Sequence, residues 1–270
     1  MKLQQYLGRI NYSGSLEPNL ETLIGLHRAH LQTIPYENLE IHFGRTLELN
    51  LERIFERLIL ERRGGWCYEM NGLFAWALRK IGFDVRLVST QVTRDDGSLM
   101  ASGDHVALLV QPETESQKLW LADVGWGNGF LDPLPLEART FRQGFLEYRL
   151  KSVGEAWRFH NQQYGADGFV FTLEPRKLEE FQERCTWLQS SPESGFVRVA
   201  VCQLFTPDGI NTLRGAVLTK IRSSGKIERT IDNFSEYEKV LREDFNLEVP
   251  NLQELWKKVW QNHLEWIKGR

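Results

Sequence analysis

The sequence predicts an α+β fold in three successive parts: a helical bundle, an antiparallel β unit and a mixed α/β unit. Three observations carry this. Apolar residues recur at helical spacing through the first third, and short β-branched runs between turn signals fill the middle. A strand pair with amphipathic helical patterns then closes the chain. The expected boundaries are 1–84, 85–195 and 196–270. A chain of 270 residues suits two or three units at roughly 150 residues per domain.

In the first part, Leu20, Leu23, Ile24, His27 and Leu31 share a helical face that ends at Ile34-Pro35. Leu51, Ile54, Phe55, Leu58 and Ile59 form a second set that stops before Gly64-Gly65. A third runs from Cys67 through Leu73, Phe74, Ala77 and Leu78 to Gly82. The middle part has strands at Val85–Thr93, His105–Val110 and Leu119–Val124, with turns at Arg94-Asp95-Asp96-Gly97 and 111–118. Tyr148–Lys151, Trp157–Phe159 and Phe169–Leu173 are further strands, and their spacing points to an antiparallel sheet or barrel. Glu174-Pro175 is expected to open a helix burying Leu178, Phe181, Cys185 and Leu188. Phe196–Phe205 and Leu213–Arg222 read as a strand pair around Thr206-Pro207-Asp208-Gly209. A capping box at Ser235-Glu236-Tyr237-Glu238 and an apolar stripe through Leu252, Leu255, Trp256, Val259 and Trp260 return the chain to helix.

Composition removes several function classes. The balance of 33 basic against 36 acidic residues gives a net charge of −3, unsuited to neutralising a phosphate backbone, so no nucleic-acid partner is expected. No apolar run reaches the ~20 residues that span a bilayer. Met1–Tyr12 is polar where a signal peptide carries an apolar core. The expected location is therefore the cytoplasm, away from membranes. The 3 cysteines, Cys67, Cys185 and Cys202, are too few and too widely spaced for a disulfide framework or a zinc site, and no metal is expected.

The segment Arg62-Arg63-Gly64-Gly65-Trp66-Cys67-Tyr68-Glu69-Met70-Asn71-Gly72 carries the chemical signal. Two glycines allow a tight turn just before a helix, which puts Cys67 at the helix N-terminus, where unpaired N–H groups and the macrodipole favour a thiolate. Most free cysteines are small buried hydrophobes, so position alone does not make Cys67 a nucleophile. Among the 6 histidines, His105 stands out because it opens a strand after the flexible Ser102-Gly103-Asp104. A histidine there can offer one nitrogen to a cleft while the other takes an orienting acceptor. Asp123, at the end of the next strand, is placed to be that acceptor. Cysteine, histidine and aspartate on these elements make the geometry of a thiol triad. Gly125-Trp126-Gly127-Asn128-Gly129-Phe130 follows, with alternate glycines that expose backbone amides to a ligand.

Taken together these motifs resemble the arylamine N-acetyltransferases, in their shorter bacterial form. The resemblance rests on Arg63-Gly64-Gly65-Trp66-Cys67-Tyr68-Glu69-Met70-Asn71, on the strand led by His105, and on Asp123 to Phe130. It extends to Pro35-Tyr36-Glu37-Asn38-Leu39, Phe171-Thr172-Leu173-Glu174-Pro175-Arg176 and Ser190-Ser191-Pro192-Glu193-Ser194-Gly195-Phe196, in family order over nearly the whole chain. It implies a helical domain, a β-barrel and an α/β lid around a cysteine-protease core of the transglutaminase type. It also implies Cys67 as nucleophile, His105 as base and Asp123 as orienter. Tyr36, Val92, Trp126 and Phe130 match acceptor-pocket positions, although Tyr36 replaces the usual phenylalanine and Val92 a common aromatic. Gly125, Gly127 and Gly129 match the coenzyme A entrance.

The implied reaction is a ping-pong transfer. Cys67 takes the acetyl group of acetyl-coenzyme A, a co-substrate and not a bound cofactor, and passes it to an arylamine or hydrazine. The Cys67 N–H is one expected oxyanion donor. A thiol hydrolase with the same triad and an amide synthase of the same family are the rival readings. The chain is expected to be a monomer or a weak homo-oligomer.

Overall fold

A computed structural model describes residues 1–94, 96–115 and 117–268. Asp95 of the expected turn, and part of the 111–118 turn, lie outside the described residues. The first third is helical: α1 (Leu3–Arg9), α2 (Leu20–Thr33), α3 (Leu39–His42), α4 (Leu51–Phe55) and α5 (Cys67–Ile81), with the short β1 (Tyr36–Glu37) between α2 and α3. Asn19 and Asn50 cap α2 and α4 through their side-chain oxygens. The second periodic segment is not one regular helix, because α4 passes into a π turn over Glu56–Leu60.

An antiparallel sheet follows, made of β2 (Asp84–Val92), β3 (His105–Gln111), β4 (Trp120–Ala122), β5 (Leu134–Pro135), β6 (Thr140–Gln143), β7 (Leu146–Val153), β8 (Ala156–His160) and β9 (Gly168–Arg176). Its order is β5-β4-β3-β2-β9-β8-β7-β6. The outermost strands β5 and β6 are successive in the chain, so the sheet curls into a nearly closed barrel around Leu150, Phe159, Phe169 and Phe171. The face of α5 bearing Met70, Leu73, Phe74, Ala77 and Leu78 packs in the same apolar cluster.

The last third holds α6 (Gln182–Ser190), α7 (Gly195–Arg198), β10 (Val201–Thr206), β11 (Gly209–Arg214), β12 (Val217–Arg222), β13 (Gly225–Thr230), α8 (Phe234–Phe245) and α9 (Leu252–Lys268). Its sheet runs β1-β10-β11-β12-β13. Tyr36 and Glu37 pair with Gln203 and Cys202, so a piece of the helical segment completes the C-terminal sheet. A second core, including Leu204, Leu218, Tyr237, Leu241 and Trp256, seals that sheet against α8 and α9.

Several expectations need correcting. Glu174 and Pro175 lie within β9, which runs on to Arg176, and do not open a helix. Pro175 lies opposite Val88, where the register with β2 shifts, and an irregular ladder tolerates the missing N–H. The helix starts later, as a 3-10 turn over Leu178–Phe181 leading into α6, and it buries the four expected residues. Phe196 lies in α7, capped by Ser194, not in a strand. Leu213–Arg222 is two strands, because Gly215, at φ +57, turns the chain between β11 and β12. Asn233, not Ser235, caps α8, accepting from the Glu236 N–H at 2.9 Å.

His27 and His30 of α2 are both fully buried. Burial pushes the His27 imidazole down to about 4 and also lowers that of His30. In the unfolded chain both bind protons near the ordinary value of about 6.5. Stability is therefore fully present above about pH 6.5 and declines as pH falls toward 4, because the unfolded chain takes up protons that the native one refuses. At about pH 5, His27 alone is expected to cost of the order of 2 kcal/mol. Urea titrations at about pH 5 and pH 7 check this, and His27→Gln should narrow the difference between them.

Candidate active site

The turn before α5 depends on the absence of a side chain at Gly64. A Cβ there would lie 2.3 Å from the Pro35 carbonyl oxygen. The strand-like contact that results, with Glu37 N–H donating to Gly65 O at 2.9 Å and Gly65 N–H to Pro35 O at 3.2 Å, delivers Cys67 as the first residue of α5. The Trp66 N–H donates to Glu69 Oε2 at 3.4 Å, and Glu69 is ion-paired with Arg57. Arg63 pairs with Glu40 at 2.7 Å.

Cys67 is 2% exposed. Burial first, then Cys185, Asp123 and Glu69, push its thiol well above the usual range, and the Tyr68 N–H pulls the other way. The helix terminus therefore works against dry, acidic surroundings, and an ionised sulfur here needs a cationic partner.

His105 is the first residue of β3, opposite Thr90 of β2, and Asp123 immediately follows β4, which pairs with β3 on its other edge. The antiparallel pairing expected from sequence brings His105 Nε2 to 2.6 Å from Asp123 Oδ2. Asp123 Oδ1 accepts from Asn71 Nδ2 at 2.8 Å and from the Gly125 N–H at 2.9 Å. Asn71 also donates to Val106 O and accepts from the Val124 N–H. It stands one turn beyond Cys67 on α5, so a single side chain links the cysteine's helix to the aspartate's loop and the histidine's strand. A Cβ on Gly125 would lie 2.7 Å from Cys67 Cα, which puts the two backbones in contact.

The Ser102-Gly103-Asp104 segment, expected to be flexible, is tied down. The Gly103 N–H donates to Thr90 O at 3.1 Å, Tyr68 Oη donates to Gly103 O, and Arg184 pairs with Asp104. Trp66 and Tyr68 are core residues at 0% exposure. Trp126 is half-buried, edge-on to His105 at 4.9 Å and to Phe169 at 5.0 Å. Half-buried Val92 is the register partner of Phe169. Phe130 lies deeper, fully buried against Phe159. Tyr36 reaches the site from β1. Burial raises its phenol, with further contributions from Cys67 and Asp123. Gly127 nestles against Gln203 and Tyr36, where a Cβ would fall 1.8 Å from Gln203 Oε1.

From the sequence, Asn71 and Phe169 carry no role, and His27 is one of the histidines that read as structural or solvent-facing. Asn71 lies within the quoted cysteine motif, so its proximity to Cys67 was visible, but its hydrogen bonds depend on how three elements converge. Among the described residues, no cluster of three or more His, Cys, Asp or Glu side chains is arranged to hold a metal.

A family model described as N-acetyltransferase matches residues 19–254. The pineal gland isozyme NAT-3 arylamine N-acetyltransferase of Gallus gallus is 34% identical over 276 residues, covering 92% of this chain and 94% of that one. The chain belongs to the arylamine N-acetyltransferase family. Arylamine N-acetyltransferase 2 of Mesocricetus auratus is also 34% identical, across 92% of this chain and 95% of its own. The structure of the Mycobacterium smegmatis arylamine N-acetyltransferase superposes with TM-score 0.88 at 30% identity, covering 97% of this chain and 98% of that one. The Mycobacterium marinum arylamine N-acetyltransferase in complex with CoA gives 0.85 at 27% identity, covering 97% and 98%. The chain is an acyltransferase of the arylamine N-acetyltransferase fold, and none of its described helices is long and apolar enough to cross a membrane.

Proposed function

We propose that this chain moves an acetyl group from acetyl-coenzyme A to an aromatic amine or hydrazine through an acetyl thioester on Cys67. The observation that carries the proposal is the His105–Asp123 contact of 2.6 Å, linked through Asn71 and Gly125 to the N-terminus of the Cys67 helix. With Nε2 held by Asp123, His105 has Nδ1 left to take the Cys67 proton. The resulting imidazolium supplies the positive charge that a buried thiolate requires.

The thiolate attacks the thioester carbonyl, and coenzyme A leaves with the proton that His105 returns. The amine then attacks the acetyl-Cys67 carbonyl, gives its proton to His105 and releases the sulfur. The Cys67 N–H, at the start of α5, is one donor to the tetrahedral oxygen. Trp126, Val92 and Tyr36 wall the acceptor side and Phe130 backs it, while coenzyme A enters along Gly125, Gly127 and Gly129. Dry apolar walls favour a flat arene over water at the thioester.

Intact-protein mass spectrometry after mixing with acetyl-coenzyme A alone tests this. One acetyl group should appear, fail to appear in Cys67→Ala, and be discharged by an arylamine. Coenzyme A release that is indifferent to amine would mark a hydrolase. No adduct and no coenzyme A release would overturn the proposal.

A further inference from the structure

We infer that His27 is a positioning residue for the arylamine step: its ring pins both ends of the loop that presents Trp126 to His105. The inference rests on the acetyl-transfer reading above. His27 lies on α2, outside the three residues that carry the chemistry, and it is fully buried. Its Nε2 accepts the backbone N–H of Asp123 at 3.0 Å. A backbone amide can only donate, so Nε2 carries no proton. The ring's single proton is then on Nδ1, which donates to the Leu131 carbonyl at 2.8 Å.

The same ring stacks on Phe130, with centroids 5.8 Å apart and planes 5° from parallel. Burial keeps the imidazole neutral by lowering it to about 4, so this tautomer persists wherever the protein is folded and working. The next residue, Arg28, grips Asp132 with a contact of 2.6 Å from Nη2 to Oδ2.

Each of the other side chains that hold this loop grips it at one place. Asn71 takes Asp123 and Val124, Gln162 takes Asn128, Tyr148 takes Gly129, and Gln143 takes Leu131 and Asp132. Among the described residues, His27 is the side chain bonded at both the entry and the exit. The carboxylate of Asp123 keeps its own partners, Asn71 Nδ2 and the Gly125 N–H, whether or not His27 is present. Removing the imidazole therefore leaves the triad's carboxylate held. It frees the Asp123 amide and the Leu131 carbonyl, so that the two ends of the segment loosen while its middle stays bonded, and Trp126 is held less firmly against His105.

The test compares three full-length chains, the wild type, His27→Phe and His27→Gln. Phenylalanine keeps a ring against Phe130 but removes both hydrogen bonds. Glutamine carries a donor and an acceptor on one amide. Each chain is acetylated with acetyl-coenzyme A in a single turnover, and discharge of the acetyl-enzyme is followed against arylamine concentration. His27→Phe should raise the half-saturating arylamine concentration about 5- to 30-fold, the scale of buried groups left unpaired, with a much smaller change in the acetylation rate. His27→Gln should recover most of the loss. Nitrogen-15 NMR of the wild type gives a second readout that does not depend on a variant folding: the His27 ring should show Nδ1 protonated and Nε2 bare. Unchanged arylamine dependence in a folded His27→Phe, equal losses in both half-reactions, or a ring protonated on Nε2 would each overturn the inference. If the wild type forms no acetyl-Cys67, the acetyl-transfer reading fails, and the NMR result still decides whether the clamp exists.

Discussion

Asp123→Asn is expected to lower arylamine acetylation by about 10⁴-fold, the scale seen when a triad acid is replaced by its amide. The structure supplies the reason. Oδ1 of Asp123 faces two donors, Asn71 Nδ2 and the Gly125 N–H, and Oδ2 faces His105 Nε2. An amide has one acceptor, and the two-donor side claims it. Its NH₂ then points at His105 Nε2, which must become the acceptor and leave its proton on Nδ1, the nitrogen that the proposed mechanism uses to deprotonate Cys67. The carboxamide fills the same space, so thermal stability should change far less than rate. Single-turnover acetylation of Cys67 with a parallel melting curve checks both. A rate within tenfold of the wild type would remove Asp123 from its role as orienter.

The second large effect is expected from Gly125→Ala. Its added carbon would sit 2.7 Å from Cys67 Cα, 2.8 Å from the Cys67 carbonyl oxygen and 2.7 Å from Asn71 Nδ2. Two of those neighbours are backbone atoms of α5, so no side-chain rotation relieves the clash, and the loop itself must retreat. Retreat breaks the Gly125 N–H bond to Asp123 and moves the loop relative to Cys67. A misplacement of about 1 Å at reacting groups costs on the order of 10²-fold, and overpacking adds about 1–3 kcal/mol of destabilisation. Acetylation rate and urea midpoint together check this. By contrast, Gly195→Ala, where nothing lies within 4 Å of the added carbon, should leave both nearly unchanged.

How far the sequence could be read depended on how local each signal was. The start of α5 at Cys67 was visible because Gly64-Gly65 and Gly82 bracket one apolar face, and Gly82 ends the helix at φ +118. The pairing of His105 with Asp123 followed from two neighbouring antiparallel strands. The break at Gly215 was hidden because the apolar run Ala216, Val217 and Leu218 follows Leu213 after only two residues. The strand β13 was missed because Lys226, Ile227, Glu228, Arg229 and Thr230 are all exposed and carry no buried face to detect. Pro175 suggested a helix start because proline favours first turns, and only the observed register shift shows why a strand accepts it. Asn71 and His27 act across sequence separations of 52 and 96 residues to Asp123, which no periodicity encodes.

The pairing of Tyr36 and Glu37 with Gln203 and Cys202 has a consequence for how the protein is made. On the ribosome, Tyr36–Glu37 and the Cys67 helix emerge well before the strand that pairs with Tyr36–Glu37, and closing so long a loop carries an entropic cost that grows with its length. Until Val201–Thr206 has been synthesised, the nascent chain holds a two-residue strand without its ladder partner and a cleft missing one wall. Synthesis that stalls before that strand would release a product whose Gly127 loop lacks its Gln203 neighbour and whose Tyr36–Glu37 strand has no sheet to join, a substrate for proteases and not a smaller working enzyme.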